Sequence, residues 1–360
     1  MEGSPGLDPQ TQSAMPKPPV AGHGTAWRIG LSWLSGLLVL AAVVLVASRF
    51  TEIEQFAALA QKAEPIWLLV AAGLQAATYA CAAAVWHGAL QRAGIRRRFW
   101  SIVPLGLAKL FTDQALPTGG IGGTLLVVSG LGRRGVPNGI AMAVLLIGMI
   151  AFYIAYLAAV VIGLGLLYRR GALDWYMVLA AAAFVCVAFG VPAAVLAVRR
   201  WSRLQSKFGA LMGFAGWLMR IPGFADLLAA MAAAPTELLR DPFPFLRAAL
   251  LQFAIFVLDA ATLWAMLHAV GSDGSPDIAF ASFMMASVAA TVGPMPLGLG
   301  TFEAVAVAVL HLQGISIEAA LTATLLLRGF TFWLPMIPGL VLARRELRGA
   351  HHVGTPASPG

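Results

Sequence analysis

Long apolar runs, each close to the length needed to cross a bilayer, recur along most of this 360-residue chain. A helix needs about 20 consecutive apolar residues to cross roughly 30 Å of hydrocarbon. Apolar residues make up 59% of the chain and charged residues only 11%, whereas a soluble domain usually carries about 25% charge. The sequence therefore predicts an all-α polytopic membrane protein without a soluble catalytic domain.

Six of these runs are predicted to be full transmembrane helices. They are Ile29–Ala47, Ile66–Leu90, Gly139–Leu167, Trp175–Val198, Phe245–Val270 and Ile317–Leu342. Two amphipathic segments, Thr51–Glu64 and Trp201–Arg240, are expected to lie at the membrane surface. Residues 1–26 and 349–360 lack periodicity and are predicted to be disordered cytoplasmic tails that flank an integral membrane domain of residues 27–348.

The net charge of +8 arises from short arginine clusters at the ends of the apolar runs. Short cytoplasmic loops retain Lys and Arg, so the clusters at 96–98, 133–134, 199–203 and 344–348 predict cytoplasmic ends, with both termini inside. Arg169 and Arg170 are an exception, because they fall on the predicted outer side. This distribution accounts for the charge without nucleic-acid binding and predicts a multi-pass protein of a cell inner membrane.

Two apolar segments are predicted to enter and leave the membrane on the same side. Phe99–Leu131 lies between two inner arginine clusters, and Ile278–Leu312 lies between outer ends of its neighbours. We predict re-entrant hairpins that turn at the glycine-rich stretches 117–123 and 293–300. Residues 27–170 and 171–348 then each contain span, span, hairpin and span, which predicts an inverted repeat of the kind found in secondary transporters.

Few ionisable residues lie at membrane depth, where a charge costs at least about 2.5–3.5 kcal/mol unless it is paired or hydrated. Glu303 is predicted to pair with Arg328, either to place Arg328 for a lipid phosphate or only to lock hairpin to helix. Lys109 and Asp113, four residues apart, are predicted to neutralise each other, with a phosphate contact from Lys109 as the alternative. Asp259 has no partner nearby in sequence. It is either a proton-coupling carboxylate or a hydrogen-bonding group between helices.

Residues of the two turns are further candidates for contact with an anionic head group. The helix after each turn would direct unpaired N–H groups toward the hairpin tip, and such helix ends attract anions. The candidates are Gly120, Gly122, Pro296, Gly298 and Gly300. Simple helix breaking is the alternative explanation for each of them. No catalytic triad, paired carboxylates or metal-ligand spacing is present, so we expect no enzymatic activity, metal or cofactor.

A motif in the second hairpin resembles the C-terminal signature of the lysylphosphatidylglycerol synthase transmembrane family. The motif is Pro294–Glu303, read as PMPLGLGTFE, and it is followed by Gly314, Arg328, Pro335 and Gly339. The resemblance covers roughly residues 29–347, because the order of segments fits as well. Only a short tail follows Arg348, so synthesis of an aminoacyl lipid is not expected.

This resemblance implies a flippase-like protein, similar also to hopanoid-associated relatives. Such a protein would move or bind a phospholipid, hopanoid or lipid-linked head group of anionic or isoprenoid type. One alternative is an accessory or scaffold subunit for a lipid-modifying enzyme, and another is an intramembrane transferase, for which no catalytic set is evident. Transport predicts a polar cavity joining the two hairpins, whereas a scaffold predicts a tightly packed centre.

Overall fold

A computed structural model of the chain describes residues 61–115, 121–186, 242–293 and 298–351. The regular structure of these residues is helical. In chain order the helices are α1 (Pro65–Arg92), α2 (Val103–Ala115), α3 (Ile121–Arg133), α4 (Asn138–Arg169), α5 (Trp175–Cys186), α6 (Pro242–Ala269), α7 (Pro276–Val292), α8 (Thr301–Leu312), α9 (Ile317–Arg328) and α10 (Leu334–His351). A 3-10 turn at Phe99–Ser101 precedes α2, and a π-helical turn at Gly329–Trp333 joins α9 to α10.

Four helical segments in the described residues are long and apolar enough to cross a membrane: α1, α4, α6 and the continuous segment Ile317–Arg345. The 28 residues of α1 give a length of about 42 Å, which exceeds the roughly 30 Å of hydrocarbon. These segments confirm four of the six predicted spans, with ends that agree to within three residues.

Several predicted segments lie wholly or partly outside the described residues. They are the span Ile29–Ala47, most of Thr51–Glu64, the second half of Trp175–Val198, the segment Trp201–Arg240 and residues 1–26 and 352–360. The last helix, α10, continues to His351, three residues beyond the predicted boundary of the membrane domain.

The candidate spans expose large apolar side chains on their outer faces. Leu69 on α1 is 70% exposed, Val161 on α4 is 60% exposed and Leu250 on α6 is 62% exposed. Ile337 on α10 is 69% exposed. Broad apolar surfaces of this kind mark contact with membrane or partner rather than with water, as expected of helices that face lipid.

Helices α1 and α6 run antiparallel and form the most extensive helix pair of the described fold. The backbone N–H of Glu64, which precedes α1, donates to the carbonyl of Ala269 at the end of α6 over 2.9 Å. Buried alanines such as Ala71 and Ala260 let the backbones of membrane helices approach closely. Helix α4 also packs against α6, where the ring of Tyr156 stacks on Phe256 with 4.9 Å between centroids.

The first hairpin consists of α2 and α3, and its two ends meet at the same end of the protein. Arg97, before the hairpin, places Nη2 only 2.8 Å from the position that a Cβ of Gly135, after the hairpin, would occupy. Gly135 has a φ of +73°, which favours glycine at this turn. The two arginine clusters that flank the hairpin are therefore neighbours, as their sequence placement predicted.

The second hairpin consists of α7 and α8, and its α7 packs against α4. A Cβ at Gly163 of α4 would lie 3.2 Å from Cβ of Met284 in α7. At the end of α4, Arg170 Nη2 lies 2.6 Å from Asp277 Oδ2 at the start of α7. The arginine that did not fit the charge pattern is thus neutralised by an acidic partner.

Candidate functional site

Arg328 and Glu303 form an ion pair between the last turn of α9 and the first turn of α8. Arg328 Nε donates a hydrogen bond to Glu303 Oε1 over 2.6 Å. The two side chains are only 15% and 16% exposed. The predicted pairing of these residues is therefore present in the structure. Glu303 also lies in the first turn of α8, where a negative charge complements the helix dipole.

Two phenylalanine rings flank the Arg328 guanidinium. Its Cζ lies 5.1 Å from the ring centroid of Phe302 and 5.0 Å from that of Phe332. A cation over an aromatic face gains about 0.5–1 kcal/mol when exposed and about 2 kcal/mol when desolvated. The rings therefore help to hold a positive charge at a depth where one would otherwise be unfavourable.

Glu303 keeps one carboxylate oxygen unsatisfied. Oε2 is buried and has no hydrogen-bond partner among the described residues. A buried acceptor without a donor costs about 1–3 kcal/mol. Glu303 Oε2 can therefore accept a hydrogen bond from a further donor, and no described hydrogen bond to this oxygen opposes movement of the carboxylate away from Arg328.

The π-helical turn Gly329–Trp333 follows Arg328 directly. Thr331 Oγ1 donates to the carbonyl of Leu327 over 3.0 Å, and Pro335 has no N–H to donate to the turn before it. Single π-helical turns inside helices are frequent at functional sites. The sequence analysis predicted one regular helix for this span. The glycine at 329 and the proline at 335, which both weaken a regular helix, could have indicated the irregular turn.

The glycines of the second turn have different surroundings. Gly298 has a φ of +64°, and a Cβ there would lie 2.4 Å from Cβ of Ala290, so the turn requires glycine to pack against α7. Gly300 has a φ of +77° and precedes α8 as its N-cap, with no atom of the described residues within 4 Å of where a Cβ would lie. Close packing against α7 therefore explains the glycine at 298, whereas no described residue crowds position 300. Pro296 lies outside the described residues.

Lys109 and Asp113 form the predicted local ion pair on α2. The pair lies against α3 at Gly123, where a Cβ would come within 2.9 Å of Lys109 Cγ and closer still to the Asp113 carboxylate. Asp113 Oδ1 is buried without a partner among the described residues. Both hairpins therefore carry an ion-paired carboxylate, Asp113 in the first and Glu303 in the second, with one oxygen that no described residue bonds.

The predicted turn of the first hairpin, residues 117–123, needs a correction. Helix α3 begins at Ile121, so Gly122 and Gly123 are helical and neither has a positive φ. The reason for glycine at 123 is the close approach of the Lys109–Asp113 pair rather than a turn. Gly122 lies in the first turn of α3, and Gly120 lies outside the described residues.

Asp259 on α6 joins α6 to α1 through hydrogen bonds. Its Oδ1 accepts from Gln75 Nε2 over 2.9 Å, with Thr78 Oγ1 at 3.4 Å. Gln75 Nε2 also donates to Thr262 Oγ1 over 3.0 Å. Of the two alternatives for Asp259, the hydrogen-bonding contact between helices is thus observed. The same geometry is compatible with proton binding at Asp259.

A cavity of about 230 Å³ lies beside Asp259, between α1, α2, α6 and the π-helical turn. Its polar lining residues are Gln75, Thr78, Tyr79, Asp259 and Thr331. Sequence reasoning singled out only Asp259 of these. The spacing of Gln75, Thr78 and Tyr79, which places three polar groups on one face of an apolar helix, was the available signal.

The two ion pairs do not line this cavity, but the cavity borders both regions. Gly106 and Leu110 on α2 line it next to the Lys109 turn, and Thr331 lines it one helical turn after Arg328. Among the described residues, no three His, Cys, Asp or Glu side chains are grouped as metal ligands. The chemistry that these residues offer is the binding of anions, hydrogen-bonding groups and protons.

Most of the chain matches a known protein family. Residues 33–339 match the family described as the lysylphosphatidylglycerol synthase TM region. No curated protein sequence matches the chain. The matched range contains both hairpins, the Arg328–Glu303 pair and Asp259.

Proposed function

Because the chain belongs to the lysylphosphatidylglycerol synthase transmembrane family, we propose that it binds an anionic membrane lipid or lipid-linked head group and moves it across the bilayer. The observation that carries this proposal is the Arg328–Glu303 pair, nearly buried and set between two phenylalanine rings. The protein would bind and move the lipid without making or breaking covalent bonds.

The chemistry of the pair suits exchange with a lipid phosphate. A guanidinium presents parallel N–H donors that match a phosphate as well as a carboxylate. Glu303 occupies the place beside Arg328 that a phosphate would take, and none of the described residues bonds to its second oxygen. An arriving phosphate would therefore displace Glu303 from Arg328 without breaking a second hydrogen bond of the carboxylate.

The short helices support re-entrant hairpins. Helices α2, α3, α7 and α8 have 12–17 residues, which gives lengths of about 18–26 Å, less than the roughly 30 Å of hydrocarbon. We infer that each hairpin enters and leaves the membrane on one side. The proximity of Arg97 to Gly135 supports this for the first hairpin.

The packing supports an inverted repeat. Helices α1 and α6 hold the same place in each half, before a hairpin, and they run antiparallel. The first hairpin packs on the last span, where a Cβ at Gly339 would lie 2.9 Å from the carbonyl oxygen of Leu107, and the second hairpin packs on α4. We infer that the two hairpins approach each other from opposite sides, as broken helices do in transporters.

The experiment that tests the proposal is leaflet exchange of labelled lipids in vesicles that contain the purified protein. Wild type is compared with Arg328→Ala, Glu303→Gln and a matched control, Arg170→Ala, which removes an arginine from the exposed pair with Asp277. Loss of a hydrogen bond to a charged group is worth about 1.5–3 kcal/mol, so we expect Arg328→Ala to slow exchange of anionic lipids about 10- to 100-fold.

Two results would count against transport. If wild type leaves anionic, zwitterionic and polyprenyl-linked lipids in their original leaflets, the protein does not move them, and the scaffold alternative takes precedence. If Arg170→Ala slows exchange as much as Arg328→Ala does, the effect belongs to general destabilisation rather than to the site at the second hairpin.

A further inference from the structure

The cavity beside Asp259 contains an acid and no base. Among its described lining residues there is no Lys, Arg or His, and Tyr79 is the only other titratable group. The rest of the lining is apolar or uncharged, and includes Val103, Leu107 and Ile255. A carboxylate in such surroundings has no counter-charge to replace the water it has lost.

The polar atoms in the cavity are only partly engaged. Gln75 and Thr78 both bond to Oδ1 of Asp259, and the described residues offer no hydrogen bond to Oδ2. The hydroxyl oxygen of Tyr79 is buried and also has no partner in the described part of the chain. The Tyr79 hydroxyl is therefore a buried unsatisfied group on the cavity wall, beside a carboxyl with only one oxygen hydrogen-bonded by described residues. Such a cavity suits a ligand that can form hydrogen bonds there, and a proton on Oδ2 is the smallest.

Three ion pairs hold charged side chains of the helices around the cavity away from Asp259. They are Lys109 with Asp113 on α2, Arg170 on α4 with Asp277 on α7, and Arg328 on α9 with Glu303. The other titratable groups on α1, α4, α6 and α9, apart from Tyr79 and Asp259 themselves, are Cys81, His87, Arg92, Tyr153, Tyr156, Tyr168, Arg169, Arg247, His268 and Glu318. None of these residues lines the cavity, so none of them supplies Asp259 with a neighbouring cation there.

We propose that Asp259 is a proton-binding site and that its proton is the coupling ion for lipid movement. The second half of this proposal rests on the proposed function, whereas the first half does not. With a proton on Oδ2 the carboxyl is neutral, and its Oδ1 still joins α6 to α1 by accepting from Gln75 and Thr78. Release breaks the O–H bond, the proton passes to water that enters the cavity, and the electron pair remains on the carboxylate.

Release of the proton from Asp259 changes the contact between α1 and α6. A carboxylate cannot remain in the cavity without water, so ionisation favours an arrangement in which α1 and α6 admit it. A proton fits this site better than a metal cation, because Gln75 turns its N–H group toward Asp259 rather than its oxygen. That orientation supports an acceptor and leaves fewer oxygen ligands for a cation.

Proton binding can be tested without any transport assay. Infrared spectra of the full-length protein in nanodiscs are recorded at a series of pH values from pH 5 to pH 8, in H₂O and D₂O, for wild type, Asp259→Asn, Asp259→Glu and the control Asp277→Asn. We expect a carbonyl band of a protonated carboxyl in wild type at pH 5 that fades toward pH 8; the band is lost in Asp259→Asn, shifted in Asp259→Glu and unchanged in the control. Identical spectra for wild type and Asp259→Asn would overturn the proposal.

Coupling is then tested by leaflet exchange in vesicles with an imposed proton or sodium gradient. We expect a proton gradient to change the wild-type rate several-fold, and Asp259→Asn to exchange lipid at a rate that no longer responds to it. A wild-type rate that responds to sodium instead, or to neither gradient, would overturn the assignment of the proton. If no lipid exchanges at all, the transport proposal fails, while the infrared result still decides whether Asp259 carries a proton.

Discussion

Replacing Arg328 with Met should destabilise the protein strongly, and replacing Glu303 as well should restore most of the loss. Removing one partner of a buried pair strands the other charge and typically costs 3–5 kcal/mol, so we expect about that much for Arg328→Met. Both side chains are only about one-sixth exposed, so solvent screening should reduce this value little. Met retains the volume of the arginine stem, which limits any contribution from an empty cavity.

The double variant, Arg328→Met with Glu303→Met, removes the stranded carboxylate and its unsatisfied oxygen together. Replacing a buried ion pair by apolar residues of similar volume is often neutral or stabilising. Loss of the acidic group from the first turn of α8 should cost about 0.3–1 kcal/mol. We therefore expect the double variant to lie within about 1 kcal/mol of wild type.

The assay is reversible unfolding of the full-length protein in mixed micelles, titrated with a denaturing detergent and followed by tryptophan fluorescence. Arg170→Met, which breaks the pair with Asp277 whose side chains are 40% and 35% exposed, serves as the control and should cost at most about 1 kcal/mol. The single variants Arg328→Met and Glu303→Met are measured as well. If their losses in unfolding free energy simply add in the double variant, the two residues are not coupled and the reasoning is refuted. A stable double variant that no longer exchanges lipid would indicate that the pair is retained for function.

Two further predictions concern the second hairpin. Gly298→Ala should destabilise the protein more than Gly300→Ala. Both positions have a positive φ, which costs an alanine about 1–2 kcal/mol, but only a Cβ at 298 would also clash with Ala290. Chemical unfolding of the two variants checks this order. Partial burial would raise the pKa of Asp277, but hydrogen bonds and the charge of Arg170 lower it below its usual value. The Arg170–Asp277 pair should therefore stabilise the fold fully above the usual pKa of an aspartate, and this stabilisation should be lost as the pH falls through the lowered pKa of Asp277. The difference in unfolding free energy between wild type and Asp277→Asn should accordingly shrink between pH 5 and pH 3.

Much of the scaffold followed from the apolar periodicity and the charge clusters. The ends of α1, α4 and α6 agree with the predicted spans because bilayer thickness and flanking charges limit where such helices can begin and end. The partnership of Glu303 with Arg328 was also predictable, because α8 and α9 are consecutive helices and both residues bear charge where charge is unfavourable. Only 25 residues separate the two.

The network around Asp259 could not be predicted in the same way. Gln75 and Thr78 lie more than 180 residues away in sequence, and nothing local indicates which faces of α1 and α6 meet. The pairing of Arg170 with Asp277, 107 residues apart, was hidden for the same reason, and it explains why a positive charge is tolerated at that end. Contacts between the halves depend on how helices pack, which a single sequence does not specify.

The measurement that tests the central claim most directly is leaflet exchange of an anionic phospholipid by a variant in which the charges of the pair are exchanged, Glu303→Arg with Arg328→Glu. This variant keeps an ion pair between α8 and α9 but removes the cation from its position between Phe302 and Phe332. If Arg328 receives the lipid phosphate, the variant should regain stability relative to Arg328→Ala while its exchange rate stays at the level of that variant. Exchange at the wild-type rate would contradict the account, because any pair that locks the hairpin to the helix would then suffice.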